Sequence, residues 1–172
     1  MDISIITRNF NVEKALEEIK SQPDNWLVDT KRQNLFYEQA GTETISLVKP
    51  WSSTFLADHR DNHEYRPTDL YKKYPETLKL IYKYFPQELV ARIVIVKLLP
   101  GKFVFPHVDD GEYYRVRHRY HIAITGSYIY TVEDTRRQIE PGMLFWFNNK
   151  RVHTSWNNST EDRISVIFDV NM

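Results

Sequence analysis

The stretch GKFVFPHVDDG, residues 101–111, sets one of the chain's six histidines, His107, directly after a proline and two residues before Asp109. At that spacing, on a strand or its extended end, both side chains point to the same side. A third donor, His153, follows 46 residues later, just past the aromatic run MLFWFN. Two imidazoles and one carboxylate drawn from separate strands can bind one face of an octahedral ion. The opposite face stays open, the ligand pattern of non-heme Fe(II) sites. A His-x-Asp tripeptide alone is also common in ordinary polar loops, so other residues must decide.

Arg163 comes ten residues after His153 and opens RISVIFDV, residues 163–170. On a strand, Arg163, Ser165, Ile167 and Asp169 share one face. The other face, Ile164, Val166, Phe168 and Val170, is wholly apolar and reads as core. RYHIAI repeats the pattern, with Arg119, His121 and Ala123 against Tyr120, Ile122 and Ile124. Two strands therefore each bring an arginine to an inward polar face. A buried guanidinium needs an anion, and its planar fork matches a carboxylate. A dicarboxylate such as 2-oxoglutarate would satisfy both arginines, or one arginine and His121. Plainer readings stay open: Arg163 paired with Asp162 or Asp169, Arg119 within the exposed basic run RVRHR, and His121 as a hydrogen-bonded core residue. His59 and His63 have the spacing of helical zinc ligands, but Asp61, Asn62 and Pro67 favour a solvated loop.

These side chains need a scaffold. NVEKALEEIKSQP (11–23) reads as a helix with Asn11 as its cap and Pro23 beyond its end. YPETLKLIYKYFPQ (74–87) is a second helix, with Pro75 in its first turn. TETISLVKPW (42–51) reads as a strand. Further strands are expected at 89–99, 118–125, 128–133, 143–148 and 163–170, rich in β-branched and aromatic residues. Pro100-Gly101 and Pro141-Gly142 suit type II turns. The expected fold is mostly β with flanking helices, a double-stranded β-helix (jelly roll, cupin-like). It is read as a single domain over 1–172, with 1–88 as helical or mixed support and 89–172 as the jelly-roll core. Residues 52–72 are long and polar enough for a lid, or are a plain surface excursion. Phe103, Phe105, Trp146, Phe147 and Trp156 are expected to be mostly core, and otherwise to keep water from a site. Asn148 and Asn149 are expected to form a turn rather than to orient ligands.

Composition narrows the class. At 172 residues and 41% hydrophobic content the chain can bury a real core. Lys plus Arg balances Asp plus Glu, which argues against nucleic acid or an anionic membrane as partner. The absence of cysteine excludes disulfides, thiolate metal sites and cysteine nucleophiles. The apolar runs are too short to span a bilayer and the start resembles no signal peptide, so a cytoplasmic protein is expected. A small-molecule or peptidyl substrate fits; the oligomeric state is not legible.

From about Tyr74 to Asp169 the chain resembles the aspartyl/asparaginyl β-hydroxylase family of Fe(II)- and 2-oxoglutarate-dependent oxygenases. The resemblance rests on LLPGKFVFPHVDDG, RVRHRYHIAI and IEPGMLFWFNNKRVHTSWNNSTEDRISVIFDV. These hold, in order, a Pro-Gly turn, a Pro-His pair, an Arg-x-His strand, a second Pro-Gly turn before an aromatic strand, a distal His and an Arg ten residues on. The resemblance implies Fe(II) on His107, Asp109 and His153, although some members lack the carboxylate. It implies Arg163 on one carboxylate of 2-oxoglutarate, with Arg119 and His121 holding its other end near the iron. It implies O₂ as oxidant, hydroxylation of an unactivated C–H of an amino acid, peptidyl Asp or Asn, or related small substrate, and succinate and CO₂ as coproducts. Two alternatives are a cupin-like metal dioxygenase or isomerase without 2-oxoglutarate, which needs no Arg163, and a non-catalytic metabolite-binding module.

Overall fold

The computed structural model describes residues 2–51 and 64–172. His59, His63 and most of the 52–72 stretch lie outside the described residues. No helix among the described residues is long and apolar enough to cross a membrane.

The chain runs β1 (Ile3–Thr7), α1 (Glu13–Lys20), a 3-10 turn (Pro23–Leu27), α2 (Lys31–Leu35), a second 3-10 turn (Tyr37–Gln39), β2 (Thr42–Pro50) and β3 (Tyr65–Pro67). It continues through α3 (Pro75–Tyr82), β4 (Val90–Leu98), β5 (Phe103–His107), α4 (Glu112–Arg115) and β6 (Arg117–Thr125). The last strands are β7 (Tyr128–Val132), β8 (Thr135–Ile139), β9 (Leu144–Phe147), β10 (His153–Trp156) and β11 (Arg163–Asn171). They form two antiparallel sheets, one of seven strands ordered β1-β9-β6-β11-β4-β2-β3 and one of four ordered β5-β10-β7-β8. This is the expected jelly roll with flanking helices; the two sheets do not close into a barrel. The N-terminal part gives the large sheet three of its strands, β1, β2 and β3.

The centre of the large sheet is covered on both sides, and β11 is buried from Arg163 to Val170. Its apolar face, Ile164, Val166, Phe168 and Val170, joins Ile122 and Ile124 of β6 and Ile93 and Ile95 of β4 against Ile19, Leu78 and Ile81 of the helices. The opposite face meets the small sheet, where Phe145 and Phe147 pack with Tyr128, Tyr130 and Val132. The period-2 reading of β6 and β11 therefore holds on both faces. Both Pro-Gly turns form as expected. Gly101 and Gly142 take φ of 73° and 85°, and the Lys102 and Met143 N–H groups donate back to Leu99 and Glu140 at 3.1 Å.

The two main helices are tied by a borrowed cap. The first N–H groups of a helix have no partner within it, and α3 has no capping side chain of its own. Glu18 of α1 supplies one: it accepts the Glu76 and Thr77 N–H groups at 2.9 Å and the Thr77 hydroxyl at 2.8 Å. Its negative charge also suits the positive end of the helix dipole. On α1, the Asn11 carboxamide oxygen accepts the Glu13 N–H at 3.1 Å from one residue before the cap position, which Val12 occupies.

Glu18→Ala is expected to cost about 1–2 kcal/mol, the usual loss of a cap. Phe168→Ala, which opens the helix-facing core, is expected to cost about 3–5 kcal/mol. Urea unfolding measures both, and a Glu18→Ala chain as stable as the unaltered one would show that the cap does not join the helices.

Candidate metal centre and the cleft between the sheets

His107 ends β5 and His153 opens β10, and the antiparallel register puts the two directly opposite each other. Their ring centroids lie 4.3 Å apart. Asp109 sits two residues past the end of β5, where its own N–H donates to the Asn149 carbonyl at 3.0 Å. One donor atom from each of His107, Asp109 and His153 falls within a 4.8 Å cluster. The Nε2 atoms of both histidines stand 3.9 Å from an oxygen of Asp109.

The chemistry of this donor set fits a metal ion. Nδ1 of His107 lies 2.7 Å from the Phe105 carbonyl and Nδ1 of His153 lies 2.9 Å from the Arg151 carbonyl. A carbonyl only accepts, so each Nδ1 must carry the proton. The Nε2 lone pairs then point to the cluster, as metal-ligating histidines require. Burial drives the pKa of His153 down to about 4 against the pull of the Asp109 carboxylate, so its ring is neutral at neutral pH. Burial alone would raise Asp109. The Arg119 guanidinium, His153, His107 and the Asn149 amide outweigh it and hold the carboxyl at about 2.

Arg119 lies on β6, register-paired with Asp169 of β11. Its Nη1 donates to Oδ2 of Asp109 at 2.6 Å, while Nε and Nη2 grip both oxygens of Asp169 at 2.8 and 2.9 Å. It is thus buried among carboxylates, not exposed in the basic run. Asn149 also donates to Oδ2 of Asp109, at 3.1 Å. The expectation that both asparagines simply make the turn is corrected: Asn148 does so, accepting the Lys150 N–H at 3.3 Å, whereas Asn149 reaches the ligand.

A small cleft lies between the sheets beside the cluster. Arg163, Ile167, His121, Arg119 and Gln39 line it with the two candidate histidines. Arg163 is six residues before Asp169 on β11, roughly 20 Å along a strand, so the two arginines enter the cleft from opposite ends. Among the described residues no carboxylate lies within ion-pair distance of Arg163, and its buried Nε has no hydrogen-bond partner. Its guanidinium instead sits over the Tyr128 ring at 4.3 Å, and Tyr128 shares a 3.1 Å hydrogen bond with Ser165. Neither Asp162 nor Asp169 is its partner. Gly126, with φ of 75°, lies against the start of β11, where any Cβ would come within 2.8 Å of the Arg163 Cα. His121 lies on the cleft face among the rings of Tyr130, Phe145 and Phe147.

Two features escaped the sequence. Gln39, in the second 3-10 turn, is buried and places its carboxamide nitrogen 3.5 Å from Nε2 of His107. Nothing in the string NLFYEQAGT marks it, because the turn meets β5 only in the folded chain. The aromatics also divide differently. Phe147 is core, but Phe103, Phe105 and Trp156 are between 36% and 42% exposed on the outer face of the small sheet. There the Phe103 and Trp156 rings stack at 5.4 Å, and Tyr37 stacks on Phe105 at 5.1 Å.

Among solved structures, a sugar phosphate isomerase of the cupin superfamily from Silicibacter pomeroyi is similar at 9% identity and a TM-score of 0.45, covering 78% of this chain and 62% of that one. A cupin domain of an XRE family transcriptional regulator from Enterobacter cloacae is similar at 15% identity and a TM-score of 0.43, covering 52% and 92%. A predicted oxalate decarboxylase from Thermotoga maritima is similar at 14% identity and a TM-score of 0.42, covering 55% and 74%. No curated protein sequence matches the chain. The family model for aspartyl/asparaginyl beta-hydroxylase matches residues 13–172, nearly the whole chain including every residue of the cleft, and the chain belongs to that family.

Proposed function

We propose that the protein is an Fe(II)- and 2-oxoglutarate-dependent oxygenase that hydroxylates an unactivated C–H of an amino acid, a peptidyl Asp or Asn, or a related small substrate. One observation carries this reading: both histidines of a three-donor cluster and a buried arginine lacking an acidic partner among the described residues line one cleft. His107, Asp109 and His153 would hold the iron, and Arg163 would bind the distal carboxylate of the cosubstrate. Iron bound there supplies O₂ activation coupled to oxidative decarboxylation of 2-oxoglutarate to succinate and CO₂. The chain's own part is to position and to shield.

Three protein donors leave positions free for exogenous ligands. The two carbonyl-bound Nδ1–H groups fix both imidazole planes, so neither ring need reorient on metal uptake. Arg163, entering from the end of the cleft opposite Arg119, would take one carboxylate of an elongated dicarboxylate and leave its other end toward the cluster. His121 lies along that path, on the same face of β6 as Arg119. The Phe145, Phe147 and Tyr130 rings around it give that wall low polarity.

Succinate release from 2-oxoglutarate, with Fe(II) and pools of amino acids and peptides, tests the reading. His107→Ala and His153→Ala are expected to abolish it; survival in either would contradict the metal assignment. Arg163→Met should raise the KM for 2-oxoglutarate about 30-fold or more, since losing one partner of a buried charge pair costs ~2 kcal/mol or more. Its iron affinity should stay unchanged. An unchanged KM would show that Arg163 does not bind the cosubstrate, whereas iron binding with no succinate release by the unaltered chain would move the reading to a metal enzyme that needs no 2-oxoglutarate.

The neutral His153 also has a cost that appears as pH falls. Its folded-state pKa of about 4 lies below the usual 6.5. Between those values the unfolded chain binds a proton that the folded chain does not. Stability of the metal-free protein should therefore fall as pH drops from about 6.5 toward 4, by on the order of 3 kcal/mol. His153→Leu should flatten that slope in urea unfolding series. An equal slope in the variant would show that burial of His153 does not govern it.

A further inference from the structure

We infer that Arg119 and Asp169 are positioning residues for the metal, forming with Asp109 a buried Asp–Arg–Asp chain that aims one oxygen of Asp109 at the ion. The inference rests on the metal reading above and assigns Arg119 a task other than the cosubstrate contact that family resemblance implies. Three nitrogens of its guanidinium, Nε, Nη1 and Nη2, already donate to carboxylates. One N–H on each of Nη1 and Nη2 is left over, but two buried carboxylates already balance its charge, and removing one partner of such a pair is strongly unfavourable.

The geometry sorts the two oxygens of Asp109. Oδ2 accepts from Arg119 at 2.6 Å and from Asn149 at 3.1 Å. Each oxygen stands 3.9 Å from a histidine Nε2, Oδ1 from His107 and Oδ2 from His153, but Oδ1 takes no hydrogen bond among the described residues and so keeps its lone pairs for the ion. A carboxylate held by one oxygen cannot rotate freely, so its other oxygen keeps a fixed direction. Outer partners of this kind orient metal ligands and sustain their affinity.

Asp169 has a distinct part. It is only 1% exposed and is gripped by two parallel N–H donors, the fork geometry that fixes a guanidinium plane. The Tyr113 hydroxyl donates to its Oδ2 at 3.1 Å. The cross-strand pairing of Arg119 with Asp169 sets this grip through backbone register, so the rigid centre of the large sheet locates the guanidinium. Asp169 also balances the arginine's charge. Without it the whole positive charge would bear on Asp109, drawing electron density from the oxygen that faces the metal.

Anaerobic Co(II) titration, followed by its visible absorption, provides a readout independent of turnover. Asp169→Asn keeps the size and one acceptor while removing the charge, and is expected to raise the Co(II) Kd about 10- to 100-fold. Arg119→Gln should do the same, with Arg119→Lys falling between it and the unaltered chain. On Co(II)-saturated protein, the 2-oxoglutarate Kd of Asp169→Asn should stay within about twofold, as Arg163 is untouched. If Arg119→Gln does not fold by near-ultraviolet circular dichroism, Asp169→Asn and Arg119→Lys carry the test. Folded variants with unchanged Co(II) affinity would overturn the positioning role, even if their melting temperature falls. A selective loss of 2-oxoglutarate affinity would overturn it in favour of a cosubstrate contact. Failure of the unaltered chain to bind Co(II) would remove the metal reading as well, a result distinct from the other two.

Discussion

A strand covered on both sides must satisfy two different neighbours with alternate residues, and β6 and β11 at the middle of the large sheet live under that constraint. Facing the helices they are purely apolar, with Ile122, Ile124, Val166 and Phe168 in one continuous core. Facing the small sheet they carry Arg119, His121, Arg163, Ser165 and Asp169, all buried. A register slip of one residue would exchange the two sets, burying charges among the helices and leaving the cleft apolar. The apolar face thus pins the register on which the polar face depends.

Charge accounting on the cleft side explains its shape. Buried charges persist only when paired. Two carboxylates, Asp109 and Asp169, share the guanidinium of Arg119, and Asp109 stands beside the Nε2 atoms of two imidazoles. In the proposed reading a divalent cation would sit among these donors. At the other end Arg163 has an aromatic ring beneath it and no acid within reach among the described residues. In the proposed reading one carboxylate of an elongated dicarboxylate would pair with it. On that reading the cleft takes a cation at one end and an anion at the other.

Much of this was legible in the sequence, for physical reasons that differ by element. The β6 and β11 strands announced themselves because one face packs on apolar core and the other lines a polar cleft, which forces alternation, and the same alternation identified which arginines turn inward. The Pro-Gly turns were legible because positive φ at their second residue favours glycine. Strands β1, β3, β5, β8 and β10 were not proposed. β5 and β10 bear exposed aromatics outside and polar ligands inside, a pattern that reads as core or loop until the cleft is known. The partners of Arg119, the task of Asn149 and the approach of Gln39 to His107 depend on contacts 10 to 68 residues apart in sequence. No local pattern encodes them.

The central claim is that one cleft holds both a metal and a chelating keto acid. Its most direct measurement is an anaerobic optical titration of the metal-free chain, first with Fe(II) and then with 2-oxoglutarate, beside a His107→Ala control. The expected result is a visible metal-to-ligand charge-transfer band that needs both additions and is absent from the control. Iron binding with no band on adding 2-oxoglutarate would contradict the account.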